Sequence, residues 1–240
     1  MAESAHTIRS KGSALLVRPD LAAQASFNWM NPGWWGDKAV KVGSGGRGGA
    51  WFVTDGERQW VLREYWRGGL PARVSRNTYL YTGENNVRSI AEYRFLARLQ
   101  DFSLAAPKPV AAAYSRVATV AYRATILVER IPGAVNFPDH PLFQTTDLWR
   151  QVGATIRRFH DAGVDHVDLN VNNILVAGER IHLIDFDRCR FRGNERGWGW
   201  RGRNLVRLRR SADKFFTSMG QSEPVELWGA LEAGYAGTSA

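Results

Sequence analysis

Apolar and polar positions along the chain follow strand-like patterns first and helical ones later. Residues 40–53 place apolar side chains on both sides of a glycine-rich stretch, which predicts a hairpin. Residues 59–65 and 122–129 read as further strands, and between them 86–99 carries Ile90, Phe95, Leu96 and Leu99 at helical spacing. A second amphipathic helix is predicted over 147–160, with Gly163 as its stop. Short apolar runs at 174–176 and 181–184 flank a turn at Gly178 and predict a strand pair. Helical periodicity returns over 204–219, with Leu205, Leu208, Ala212, Phe215 and Met219 expected on one buried face, and again over 225–235. Residues 1–38 carry few signals. Their aromatic, turn-rich segment 27–35 is expected to cover the first sheet, with a membrane-facing flap as the alternative. Pro107 and Pro109 predict a turn, and Glu129-Arg130-Ile131-Pro132-Gly133 a break between two parts. Strands followed by helices imply an α+β chain, with a β-rich lobe over 1–130 holding one long helix and a mainly helical lobe over 131–240.

Residues 159–187 concentrate the chemistry. His166, Asp168, Leu169 and Asn173 follow the order H-x-D-L-x-x-x-N, and the second short strand ends in Asp185-Phe186-Asp187. This is the order and spacing of a kinase catalytic loop and its metal-binding strand end. Phosphoryl transfer needs a base beside the acceptor hydroxyl and hard oxygen ligands for magnesium. Asp168 is the candidate base, and Asn173 and Asp185 are the candidate metal ligands. Any one of these residues alone would be an ordinary turn residue; together, in order and between paired strands, they predict a protein-kinase-like fold.

Upstream segments fit the same frame. Gly43-x-Gly45-x-x-Gly48, with Gly46 inside it, has the spacing of a loop whose backbone N–H groups approach phosphates without a Cβ in the way. No Gly-Lys-Ser/Thr follows, so it is not a Walker A loop. Arg63 stands where a kinase strand carries its phosphate-binding lysine, and Glu92 in the 86–99 helix is its expected partner. An outward-facing Arg63 and a solvated Glu92 paired within its own helix are the bland alternatives. Main-chain groups around Glu129 and Ile131 are the expected adenine contacts.

Charge narrows the partners. The 240 residues are 44% apolar, enough for a sizeable core, and carry 32 Lys and Arg against 23 Asp and Glu, a net +9. An excess of this size implies an anionic partner. Arg203, Arg207, Arg210 and Lys214 recur at helical spacing, and Arg188, Arg190, Arg192, Arg196 and Arg201 precede or join them. Charge alone is weak ground for a nucleic-acid partner, and none is expected. A single cysteine, Cys189, excludes an internal disulfide. No apolar run reaches 18 residues, and Glu3, His6 and Lys11 before a short apolar patch do not read as a secretory leader.

Four stretches carry a family resemblance: 159–192, Val61–Leu70 with its Arg67-Gly-Gly-Leu run, Leu127–Gly133, and Asn204–Arg210 with its arginines. Over about residues 25–215 the chain resembles the lipopolysaccharide kinases. The resemblance implies transfer of the ATP γ-phosphate, with Mg2+, to the 4-hydroxyl of 3-deoxy-D-manno-octulosonic acid (Kdo) on a lipid A precursor. It implies action at the cytoplasmic face of the inner membrane, as a peripheral protein bound to the anionic surface through its basic face. It places the proton acceptor on Asp168, and Arg67, Arg73, Arg76 and the arginines after Asp187 become candidates for gripping the acceptor. Asp187 stands where kinases have the glycine of D-F-G, and no A-P-E motif follows, so activation-loop switching is not expected. A heptose kinase of the same family, another kinase-fold phosphotransferase, and a non-catalytic kinase-like module on an anionic membrane remain the alternatives.

Overall fold

The computed structural model describes residues 5–42, 49–66, 77–192, 198–222 and 224–237, without the Trp198 side chain. Gly43, Gly45, Gly46, Gly48, Arg67, Arg73, Arg76 and Arg196 lie outside the described residues. The chain divides into two compact units, 1–101 with 107–130, and 102–106 with 131–240.

The first unit is an antiparallel sheet with one long helix. Its strands are β1 (His6–Ser10), β2 (Ser13–Val17), β3 (Ala39–Lys41), β4 (Ala50–Asp55), β5 (Arg58–Glu64), β6 (Tyr79–Leu80), β7 (Pro109–Ala118) and β8 (Ala121–Glu129). They run in the order β1-β2-β7-β8-β5-β4-β3, with β6 paired to β8. Arg63 lies mid-sheet, opposite Ala50 on β4 and Ile126 on β8. Trp29 and Trp35 pack on Trp60 with ring centroids 5.4 and 5.9 Å apart. Trp35 belongs to a single helical turn, α1 (Pro32–Trp35), opened by the Asn31 side chain accepting from Gly33 N–H. The aromatic segment therefore covers the sheet, although Trp34 is half exposed.

Helix α2 (Arg88–Asp101) lies on β7, where Ser89 Oγ donates to the Ala113 carbonyl at 2.8 Å. It begins two residues later than the periodicity predicts, because 84–86 forms a tighter 3₁₀ turn. Strand β7 corrects the expectation of a mere turn at 107–110. Val110–Tyr114 are buried without a break, so both faces are covered and no alternation marks the strand. The β1–β2 hairpin also left no sequence signal, β2 being a five-residue run buried over its last four positions.

The second unit is mainly helical. It comprises β9 (Val135–Asn136), α3 (Thr146–Asp161), β10 (Val164–Asp165), β11 (Ile174–Ala177), β12 (Arg180–Leu183), β13 (Arg190–Phe191), α4 (Trp198–Ser218) and α5 (Val225–Ala236). Residues 102–106 belong to it because Ala105 accepts from Leu183 N–H and Phe102 packs on Phe191. Helices α3 and α5 touch through glycines. A Cβ on Gly153 would lie 2.0 Å from the Leu231 carbonyl oxygen, and one on Gly234 would lie 2.0 Å from that of Arg150. Trp149, Phe137, Phe143 and Phe216 form the aromatic centre beside them.

Helix α4 departs from the predicted face. Its buried stripe is Trp200, Asn204, Leu208, Ala212 and Phe216, while Met219 follows the helix and is exposed. The stripe runs at every fourth residue, and Phe216 rather than Phe215 lies fully inside. Among the described residues no helix is long and apolar enough to cross a membrane.

Candidate active site

In the second unit, β11 and β12 pair Ile174 with Leu183 and Ala177 with Arg180, with Gly178 turning between them at φ 58°. This hairpin holds both halves of the motif. Ile184 N–H donates to the Asn173 carbonyl at 3.0 Å, tying the strand end before Asp185 to the loop residue Asn173. Asn173 Nδ2 donates to the main-chain oxygen of Asp168 at 2.9 Å, and Asn170 Nδ2 donates to the same oxygen. Two side-chain amides thus fix the backbone of Asp168, while its carboxylate projects into solvent, 57% exposed and 4.0 Å from Arg207 Nη1.

The Asn173 amide has its nitrogen committed to Asp168, and its oxygen takes no donor among the described residues. Asp185 has φ 62°, in the left-handed region that aspartate tolerates better than most residues. That turn drives Phe186 inward, stacked on Phe159 (5.9 Å, 16°) and 4.9 Å from the His166 ring. An amide oxygen and a carboxylate are hard donors of the kind magnesium selects, so this pair fits the ion on chemistry.

Behind the loop lies a buried polar network that sequence reasoning missed. Asp165 is 4% exposed; it accepts from Arg192 Nε at 2.8 Å and from Asn204 Nδ2 at 2.9 Å. Asn204 Oδ1 accepts from His166 N–H at 3.0 Å and lies 3.3 Å from His160 Nε2. His160 Nδ1 lies 2.7 Å from the Tyr235 hydroxyl. Burial lowers the His160 pKa to about 4, so the ring is neutral; burial also lowers that of His166, whose Nε2 reaches the Ile184 carbonyl. One signal was available: Asn204 is a polar residue in the apolar stripe of α4. Arg192 and Arg201, expected among the substrate-gripping arginines, are instead committed within the unit. Arg192 holds Asp165, and Arg201 holds Asp161 and the His160 carbonyl.

In the first unit, Arg63 Nη2 donates to both carboxylate oxygens of Glu92, at 2.6 and 2.5 Å. The Tyr65 hydroxyl also donates to Glu92, which is 4% exposed. Neither bland alternative holds: Arg63 is only 28% exposed, and its partner lies on another element. Near the end of β8, Glu129 N–H donates to the Lys108 carbonyl and its carboxylate meets Arg18 at 2.5 Å. Arg130 N–H donates to Gln59, while Ile131 N–H has no partner among the described residues.

A β-rich unit with one long helix, a mainly helical unit, and the 166–187 loop and strand end together define a protein-kinase-like α+β protein. Comparison with known proteins narrows the class. A family model described as lipopolysaccharide kinase (Kdo/WaaP) family matches residues 33–234. The chain is 44% identical over 203 residues to a Stenotrophomonas maltophilia (strain K279a) protein named 3-deoxy-D-manno-octulosonic acid kinase, covering 84% of this chain and 80% of that one. A Xanthomonas euvesicatoria pv. vesicatoria (strain 85-10) protein of the same name is 45% identical over 205 residues, covering 85% and 81%. The solved structure of WaaP in complex with acyl carrier protein shares the fold, with TM-score 0.57 and 14% identity over 94% of this chain and 89% of that one. The chain belongs to the lipopolysaccharide kinase (Kdo/WaaP) family, and it is a phosphotransferase by that membership.

Proposed function

We propose that this protein transfers the γ-phosphate of ATP to the 4-hydroxyl of Kdo on a lipid A precursor, in assembly of the lipopolysaccharide inner core. The acceptor class comes from the relatives' name and their identity over four-fifths of both chains. What carries the chemical reading is the tie through Asn173, which links the backbone of Asp168 to the strand end bearing Asp185.

In this reading Asp168 accepts the proton of the Kdo hydroxyl as its oxygen bonds to the γ-phosphorus. The bond from that phosphorus to the β-phosphate bridging oxygen breaks, and ADP leaves with the electron pair. Asn173 and Asp185 would hold Mg2+, which would offset charge on the phosphate oxygens. Arg63, steadied by Glu92, takes the role of the usual lysine toward the phosphates, and Gly43, Gly45, Gly46 and Gly48 supply N–H donors to them. The N–H of Ile131, which has no partner among the described residues, is the main-chain donor for adenine, since those of Glu129 and Arg130 are already bonded. Work on a lipid acceptor places the protein peripherally on the cytoplasmic side of the inner membrane, drawn there by its +9 charge.

The test is a magnesium–ATP transfer assay on Kdo-lipid A precursor, with heptosylated core as the comparison acceptor. Phosphate is expected on the Kdo 4-hydroxyl, and Asp168→Ala should lower kcat at least a hundredfold, on the order of a general-base contribution. Its exposed side chain predicts an unchanged melting temperature. Transfer to heptose alone would overturn the acceptor, and full activity of the variant would overturn the base.

A further inference from the structure

The four cations of α4 do not face open solvent on a flat surface. Arg203, Arg207, Arg210 and Lys214 line an open cleft of about 810 Å3 together with the loop Asn170–Asn172, which begins two residues after Asp168. Among the described residues no acidic side chain lines it. Arg203, Arg210 and Lys214 form no ion pair among the described residues, and Arg207 has only Asp168 at 4.0 Å. Elsewhere the chain pairs such charges along a helix, as with Arg157 and Asp161 at 2.7 Å on α3. Like charges stacked on successive turns repel one another, and an anion entering the cleft removes that repulsion.

Shape and position narrow the anion. The volume is in the range of small-molecule sites and exceeds what a lone phosphate fills. Val206 and Phe215 add apolar surface between the cations, suited to the carbon face of a sugar ring. Val171 N–H donates to Ser211 Oγ at 3.1 Å, pinning α4 to the loop, so the cleft keeps its place beside Asp168.

We propose that this cleft is the acceptor subsite. The α4 cations take the carboxylate and phosphate groups of an anionic glycolipid head, while a neighbouring sugar hydroxyl is presented to Asp168. The inference rests on the proposed function and assigns the cleft to the acceptor itself rather than to bulk membrane lipid.

The test uses Arg210→Gln and Lys214→Gln, singly and together, with Arg210→Lys as the charge-conserving control. All these side chains are exposed, so the melting temperature should hold. Equilibrium binding of Kdo-lipid A precursor in neutral detergent micelles is measured beside transfer kinetics. The double variant should bind the acceptor roughly tenfold more weakly or worse, with acceptor KM raised alike and the KM for ATP within about twofold. Arg210→Lys should recover most of the loss. Unchanged acceptor binding in the double variant would overturn the inference. So would normal micellar binding with lost affinity for phosphatidylglycerol vesicles, which would make the cleft a membrane contact. Binding that is lost in the variant, with no transfer even by the unsubstituted protein, would support the cleft and overturn the phosphotransfer reading instead. A protein that binds no acceptor at all overturns both.

Discussion

A single nitrogen of Arg63, Nη2, bridges both carboxylate oxygens of Glu92. Among the described residues the Arg63–Glu92 contact runs through that one nitrogen and not through a two-nitrogen fork, the geometry in which lysine cannot replace arginine. A lysine ammonium, also one nitrogen, can make the same bridge. Arg63→Lys should therefore keep kcat within about tenfold, while Arg63→Met should lose about a hundredfold or more; equal losses in the two would show that the guanidinium itself is required. Glu92→Ala removes the buried carboxylate that both Arg63 Nη2 and the Tyr65 hydroxyl bond, and should cost about 3 kcal/mol by urea denaturation.

The buried network behind the loop gives a second prediction. Asn204→Leu removes the donor to Asp165 and the acceptor for His166 N–H together, leaving the buried carboxylate with Arg192 alone among the described residues. The expected loss is about 3 kcal/mol of stability, together with reduced kcat, because His166 opens the catalytic loop. Unaltered urea midpoint and kcat would mean that the network supports neither.

This network was the least legible part of the site. Asp168, Asn173 and Asp185 announce themselves by spacing, which reflects local chain geometry within one loop and one hairpin. Asp165, Asn204 and His160 are brought together across 39 and 44 positions by α4 packing on the loop, and nothing in the local pattern requires it.

Stability should fall with acid for a related reason. His160 has its pKa lowered to about 4 against an ordinary 6.5, because burial disfavours its charged form. The unfolded chain then takes up a proton below pH 6.5 that the folded chain refuses until about pH 4. Folding stability therefore drops as pH falls through that window, by about 3 kcal/mol from this residue, and levels off below it. His166 and His182 are shifted in the same direction by burial and add to the slope. Urea titrations between pH 7 and 4 should show the fall, shallower by one proton in His160→Gln; an unchanged slope in that variant would place the effect elsewhere.

The meeting of α3 and α5 predicts a steric failure. Gly153→Ala or Gly234→Ala would push a methyl to about 2 Å from a facing backbone carbonyl, which cannot swing aside as a side chain can. Each should cost about 2–3 kcal/mol despite the better helix propensity of alanine, as overpacking does. A melting temperature unchanged or raised in either variant would show that the helices can separate without loss.

The sequence by itself determined what depends on neighbours along the chain: the 174–183 hairpin with its glycine turn, the helices with strong 3.6 periodicity, and the order of the loop residues around Asp168. Periodicity also placed Arg203, Arg207, Arg210 and Lys214 on one helical face. Only the tertiary structure decided what depends on covering both faces of an element or on distant packing. Strand β7 is buried on both sides and so shows no alternation. The stripe of α4 settles on Phe216 because the aromatic centre lies there. The cationic face becomes one wall of a cleft because Ser211 pins α4 against the loop that follows Asp168. Residue spacing reports which side chains share a face; what that face meets is set by packing between elements far apart in the chain.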